Sequence, residues 1–224
     1  MSRQTGGVRL TGYIAALAEQ GPTRGAQNIY VNRRVVKDRT IAHAIIDAYS
    51  TASIKERSPE VHLFLEVPPD AVSIEVTAQQ FMWNARYPGP DGMLGKTDPK
   101  LIDEATNSLG VVESDPAGKD DILTVNEITV PVNRTVKIRL KSKDVIHSFF
   151  LPNFRVKQDA IPGMTPEVVF VPTRTGNFEV ACAELCGLAH YRMRAFFNVV
   201  TEAQYQDWLR LQAAAKSGTG QTGK

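Results

Sequence analysis

The segment Glu179-Val-Ala-Cys182-Ala-Glu184-Leu-Cys186-Gly-Leu-Ala-His190-Tyr-Arg-Met193 gathers two thiols, an imidazole and a thioether within twelve residues, close enough for one folded loop to turn them toward a common point. Thiolate, imidazole and thioether are the soft and borderline donors that select copper, and a single Cys with His and a weak axial Met makes a mononuclear electron-transfer site. Here there are two cysteines, the only two in the chain. A second thiolate four residues after the first lets both sulfurs bridge two copper ions. Each ion then needs its own terminal imidazole, so a second His must come from elsewhere.

His147, in Lys143-Asp-Val-Ile-His147-Ser-Phe-Phe-Leu-Pro152, is the candidate, because it follows the strand-like Thr135 to Ser142, and a ligand at a strand end can reach the loop. His43 lies in a helix-like run and His62 inside the apolar run Val61 to Val67, and neither is assigned a metal. The spacing also admits a disulfide, free buried thiols or a structural zinc site. Zinc prefers a closed tetrahedron of N and S ligands. Cys182, Cys186, His190 and His147 would supply it and leave Met193 without a role.

The elements that must position these residues are mostly strands. Ile122 to Val132, Thr135 to Ser142, Val168 to Val171, Asn177 to Ala181 and Ala195 to Val200 are rich in β-branched and aromatic residues, with Pro, Gly and Asn between them. Such spacing favours a mainly β Greek-key sandwich or barrel. Thr201 is a suitable N-cap for a short helix whose Tyr205, Trp208 and Leu209 share one face, and residues 213–224 have the composition of a flexible tail.

Apolar residues make up 42% and charged ones 22%, with a formal net charge of +2, which names no partner. Residues 1–69 hold 9 Lys/Arg against 6 Asp/Glu, and residues 70–224 hold 17 against 18, so the balance shifts from +3 to −1. No stretch approaches the roughly 18 apolar residues a membrane helix needs, and the first residues lack the apolar core of a secretory signal.

Cys-x-Glu-Leu-Cys-Gly-x-x-His-x-x-Met, preceded by Asp144-Val-Ile-His147-Ser-Phe, resembles the copper domain of subunit II of haem-copper cytochrome c oxidases. The resemblance extends through Gln80-Phe-Met-Trp83-Asn-Ala-Arg-Tyr-Pro-Gly-Pro-Asp-Gly92, Val156-Lys-Gln-Asp159-Ala-Ile-Pro-Gly-Met164 and Gly176-Asn-Phe-Glu-Val-Ala-Cys182, covering about residues 70–210. It implies a cupredoxin fold for residues 70–212 and a binuclear CuA centre. His147 and Met193 would cap one copper, His190 and the backbone carbonyl of Glu184 the other, with Cys182 and Cys186 bridging.

The same resemblance implies magnesium at the Glu184 carboxylate, in the interface with the catalytic subunit I. Electrons would come from cytochrome c, entering near Phe81 and Trp83, although many relatives have Trp where Phe81 stands. The chain would then be an electron-carrying subunit of an oxidoreductase at the outer, periplasmic face of a respiratory membrane, without a complete active site of its own. Nitrous oxide reductase carries the same centre but has an aromatic-rich insert where Ala183-Glu184-Leu185 stands, and quinol oxidases share the fold without the ligands. Eight acids in residues 88–121 against three lysines could steer a cationic cytochrome c.

The front of the chain reads differently. Gln27-Asn-Ile-Tyr-Val-Asn-Arg-Arg34-Val-Val-Lys-Asp38, then Ile41 to Tyr49, then Val61 to Pro69 read strand, helix, strand. Over residues 8–69 the chain resembles a fragment of the transducer domain of MutL-type mismatch-repair ATPases, which usually have Gly where Arg33 stands. Without a Gly-rich phosphate loop or the ATPase domain, ATP hydrolysis is not expected. Arg33, Arg34 and Lys37 could bind DNA weakly, whereas no nucleic acid is expected for residues 70–224. The alternative function is a mismatch-repair accessory fragment with a passenger β-domain.

Overall fold

In the computed structural model the described residues are 2–5, 8–15, 25–36, 39–49, 60–66, 68 and 70–219. They form two compact units, Met1–Asp70 and Ala71–Lys224. No helix among them is long and apolar enough to cross a membrane.

The described residues of the first unit form one sheet and one helix. Strands β1 (Ser2–Thr5), β2 (Val8–Ile14), β3 (Gln27–Val31), β4 (Arg34–Val36) and β5 (Val61–Glu66) lie in the order β1-β2-β5-β3-β4. β3 and β5 are parallel. A parallel pair cannot be closed by a tight turn, and the crossover carries helix α1 (Arg39–Tyr49). Period-two alternation puts Val61 and Leu63 in a small core with Ile29 and Ile45. His62 therefore points to the other face, where it meets Asn28 and Glu60. His43 is exposed on α1, so neither histidine joins a cluster of ligands.

The β3–β4 hairpin turns through Asn32 (φ 46°) and Arg33 (φ 69°). A two-residue turn of this kind needs positive φ at both positions and favours Asn followed by Gly. Arg33 stands where only glycine is free of the Cβ penalty. Lys37 lies outside the described residues.

The second unit is a two-sheet sandwich, the mainly β architecture expected. One sheet runs β13-β10-β6-β7-β8, from Glu167–Phe170, Val136–Ser142, Val72–Gln79, Met82–Tyr87 and Ile122–Val125. The other runs β12-β11-β14-β15-β9, from Val156–Ala160, His147–Leu151, Gly176–Cys182, Arg194–Val200 and Glu127–Pro131. The parallel pairs β6–β10 and β9–β15 mark where the chain crosses between sheets. Along β10, Val136, Ile138 and Leu140 point inward and their basic neighbours outward. Trp83, Phe149 and Phe197 are completely buried between the sheets, and burying each large apolar side chain contributes about 1.5–3 kcal/mol.

The single strand expected over Ile122 to Val132 is two. Asn126 takes a left-handed conformation (φ 55°), and the chain changes sheets there. Asn tolerates this region because its short amide can hydrogen-bond locally. Its Oδ1 accepts from the Trp83 N–H at 2.9 Å, and its own N–H donates to the Trp83 carbonyl at 2.8 Å.

Helix α2 (Glu202–Thr219) begins with a capping box: the Gln204 N–H donates to Thr201 Oγ1, and Gln204 Oε1 accepts from the Thr201 N–H. Tyr205 is buried, and the Trp208 ring meets the Tyr87 ring edge to face at 4.9 Å. The tail expected from residue 213 is instead helical through Thr219. Lys216 Nζ donates to the Asp121 carbonyl at 2.7 Å, a tertiary tie that a reading of local composition does not contain. Residues 220–224 lie outside the described residues.

Among the eight acids of residues 88–121, Asp91, Asp103, Glu104 and Glu113 are exposed. Asp121 is buried and pairs with Arg86 at 2.8 Å. Asp98, Asp103 and Asp115 accept from backbone N–H groups within the same stretch, and Glu104 pairs with Lys143. Arg86 also pairs with the buried Glu75 at 2.7 Å, and Lys141 holds the other oxygen of Glu75 at 2.9 Å. Burial alone would raise the Glu75 carboxyl, but Arg86 and Lys141 outweigh it and hold it below the usual range. For Asp121 burial wins and its carboxyl is raised.

Removing one partner of a buried ion pair strands the other charge, which costs about 3–5 kcal/mol. Glu75→Gln should therefore lower the urea unfolding free energy by about 3 kcal/mol at neutral pH. Because the folded Glu75 carboxyl is depressed, its contribution is full above the ordinary carboxylate pKa and is lost as pH falls through the folded value, so wild type and variant should converge in acid. In the first unit, Arg33→Gly should raise stability by about 1 kcal/mol, as relief of a left-handed Cβ predicts, read as a later denaturation midpoint of that unit.

Candidate metal centre

β14 ends at Cys182 and β15 begins at Arg194, so the residues between them form a loop whose base is closed by the Cys182 N–H donating to the Met193 carbonyl at 3.1 Å. Within it a single 3-10 turn, His190–Arg192, swings His190 back over Cys186. β11 lies beside β14, with Phe149 opposite Cys182, and the Ala183 N–H donates to the Ser148 carbonyl. His147, the first residue of β11, is thereby brought against the loop from far away in sequence.

The donors meet as the residue types suggested. Cys182 Sγ lies 3.8 Å from Cys186 Sγ, too far for the roughly 2.05 Å of a disulfide, and both thiols are free. His147 Nδ1 is 3.9 Å from Cys182 Sγ, and His190 Nδ1 is 3.5 Å from Cys186 Sγ. Met193 Sδ is 3.7 Å from Cys186 Sγ, and the Glu184 carbonyl oxygen is 3.2 Å from Cys182 Sγ. His147, Cys182, Cys186 and Met193 are buried, and His190 is half-buried. The Glu184 side chain is exposed, so its carbonyl and its carboxylate serve different surroundings.

The ligand atoms of His147, Cys182 and Cys186 lie within 4.8 Å of one another, a group that leaves out His190. With His190 Nδ1 against Cys186 but outside that group, the four side chains do not close on one tetrahedral point, which fits a single zinc poorly. The donor set of thiolate, imidazole and thioether fits copper.

Burial would raise the Cys182 thiol, but hydrogen bonding with His147 and with backbone groups outweighs it and brings it down to about 6. Burial and then the Cys182 charge push Cys186 up to about 11. Burial would lower the His147 imidazole, yet its bonds to Cys182 and Asp144 raise it above the usual range.

Two residues at the site, Asp144 and Gln80, lie in motifs read from the sequence but have no role assigned there. Asp144 Oδ1 lies 2.8 Å from His147 Nε2, an arrangement that fixes which ring nitrogen faces the sulfur. Its position three residues before His147 was the available clue. Gln80 lies in the turn between β6 and β7, and nothing in its local sequence ties it to the loop. Trp83 is completely buried, its ring 6.1 Å from that of His147 and 5.6 Å from that of Phe149. Phe81 is half-buried, and its ring atoms lie 3.2 Å from where a Cβ on Gly187 would stand. Around the loop the apolar Val145, Ile146, Leu185, Leu188 and Tyr191 are exposed, Leu188 to 95%.

Comparison with known proteins places this geometry. Residues 1–79 match the family of the DNA mismatch repair protein, C-terminal domain. The chain is 45% identical over 152 residues to the alternative cytochrome c oxidase subunit 2 of Bradyrhizobium diazoefficiens, covering 67% of this chain and 54% of that protein. It is 35% identical over 164 residues to cytochrome c oxidase subunit 2 of Cereibacter sphaeroides, covering 69% and 52%. The chain thus spans about half the length of these curated relatives. A crystal structure of the periplasmic domain of subunit II of cytochrome oxidase of Bradyrhizobium japonicum superposes with a TM-score of 0.49 at 30% identity, covering 66% of this chain and 97% of that one. Residues 72–201, more than half of the chain and including every donor described, match the family of the cytochrome c oxidase subunit II periplasmic domain, and the chain belongs to that family.

Proposed function

We propose that the second unit is an electron-transfer module that holds a binuclear CuA centre and carries electrons from cytochrome c to the haem-copper catalytic subunit of a terminal oxidase, at the periplasmic face of a respiratory membrane. The single observation carrying this reading is the pairing of each imidazole with a different sulfur, His147 with Cys182 and His190 with Cys186. Cys182 and Cys186 would hold the copper from both sides, with His147 and Met193, and His190 and the Glu184 carbonyl, as the remaining donors. When bound, copper supplies a one-electron carrier.

The chain's own residues make that carrier fast and dry. Strands β11, β14 and β15 fix the backbone at His147, Cys182 and Met193, so ligand positions resist change between redox states. Completely buried His147 excludes water from one side. Phe81, packed against Gly187 one residue after Cys186, supports a route for incoming electrons through the exposed side of the loop, with Trp83 lying deeper beside His147. The apolar rim around Leu185, Leu188 and Tyr191 has the character of a docking surface. The exposed Glu184 carboxylate suits a magnesium ion shared with the catalytic subunit.

A second reading concerns the first unit alone. Its match over residues 1–79 supports a mismatch-repair accessory fragment with weak DNA binding, for which the exposed Arg33 is available. In that reading the β-domain is a passenger. Failure of the chain to take up copper, together with retention of duplex DNA at low salt, would favour it.

Loading the full chain with a copper(II) salt should give the multi-line spin-resonance pattern of one unpaired electron spread over two equivalent coppers, and mixing with reduced cytochrome c should bleach the centre's visible bands. A simple mononuclear pattern, or no uptake, would overturn the binuclear assignment. Cys182→Ser and Cys186→Ser should each abolish the shared pattern, whereas Met193→Leu should keep it with a shifted potential. Equal loss in all three would show the ligand roles to be wrong.

A further inference from the structure

The turn between β6 and β7 touches both segments that carry the ligands. The Gln80 N–H donates to Asp144 Oδ2 at 2.7 Å, and the other oxygen of that carboxylate, Oδ1, holds His147 Nε2. The Gln80 side chain turns the other way and donates from Nε2 to the Cys186 carbonyl at 2.5 Å. The orientation of the amide is fixed by chemistry, because a carbonyl only accepts and the NH2 end must face it. Gly187 makes room for this contact: at φ +138° it sits in a region that side chains rarely adopt, and a Cβ there would stand 2.6 Å from Gln80 Nε2.

We propose that Gln80 is a positioning residue of the metal centre, tying the His147 segment and the cysteine loop to one turn so that the two imidazoles keep their separate sulfurs. Neither ligand segment is otherwise joined to this turn by chain connectivity. β14 and β15 close the loop at its base, at Cys182 and Met193, while Cys186 and Gly187 lie out along it. Gln80 supplies a fastening there. The inference rests on the copper-binding reading above, and it concerns retention of the metal rather than its identity.

Groups that hold a metal's ligands in place typically change metal affinity 10–100-fold when removed. In the full chain loaded with copper(II), Gln80→Ala should therefore lose metal to an added chelator about tenfold faster than wild type, with the shape of the spin-resonance signal retained. Gln80→Glu, which sets a carboxylate against the Cys186 carbonyl, should do so at least as fast. In the metal-free chain the backbone amides of Gly187 to His190 should exchange with solvent faster in Gln80→Ala, while the denaturation midpoint stays at the wild-type value.

Unchanged chelator kinetics in a wild type that shows the shared-electron signal would overturn the proposal. So would a denaturation midpoint that falls in step with copper retention, since that is mere destabilisation. If wild type itself fails to bind copper, the functional reading fails instead. Amide exchange in the metal-free chain then still decides the tie, and wild-type exchange rates in Gln80→Ala would remove it.

Discussion

The hydrogen bond from the Cys182 amide to the Met193 carbonyl, the last rung before the β14–β15 ladder opens into a loop, is the constraint on which the metal centre depends. It sets two sulfur donors eleven positions apart side by side at the mouth of the loop. The residues between them are then confined to a short arc. A 3-10 turn is the tight form that fits such an arc, and it directs His190 toward Cys186.

Around that rung the second unit is organised as a frame. β11 is hydrogen-bonded on both sides, by β12 and β14, so His147 is carried on a strand within the sheet rather than on a loose connection. The opposite sheet has the opposite character on its outer side, where Arg86, Glu75, Asp121 and Lys141 bury a charged cluster under residues 88–121. That cluster adds little net energy compared with an apolar one, but it fixes the covering stretch in one position. Lys216 on α2 then docks on the same stretch through the Asp121 carbonyl. Asp121, and Asp98, Asp103 and Asp115 through backbone N–H groups, thus help to hold the covering stretch in place.

The first unit follows simpler rules. Among the described residues its core is built from Ile29, Ile45, Val61 and Leu63, and α1 lies in the crossover that a parallel strand pair requires. Arg33 at positive φ shows a local preference overridden by the hairpin it must close.

The sequence by itself carried the donor set of the proposed centre. Cys182, Cys186, His190 and Met193 share a loop by spacing alone, their softness selects copper, and the need for a second imidazole pointed to His147 at a strand end. It also determined the β character of residues 70–212 and the buried face of α2, because alternation and helical spacing are local properties. Only the tertiary structure decided the break at Asn126, the continuation of α2 to Thr219, and the roles of Asp144 and Gln80. Each of these depends on a partner distant in sequence or on a contact outside the element's own pattern: Trp83 for Asn126, Asp121 for Lys216, the loop carbonyl of Cys186 for Gln80. Hydrogen bonds between such residues leave no periodicity to read, so they become visible only when the sheets bring them together.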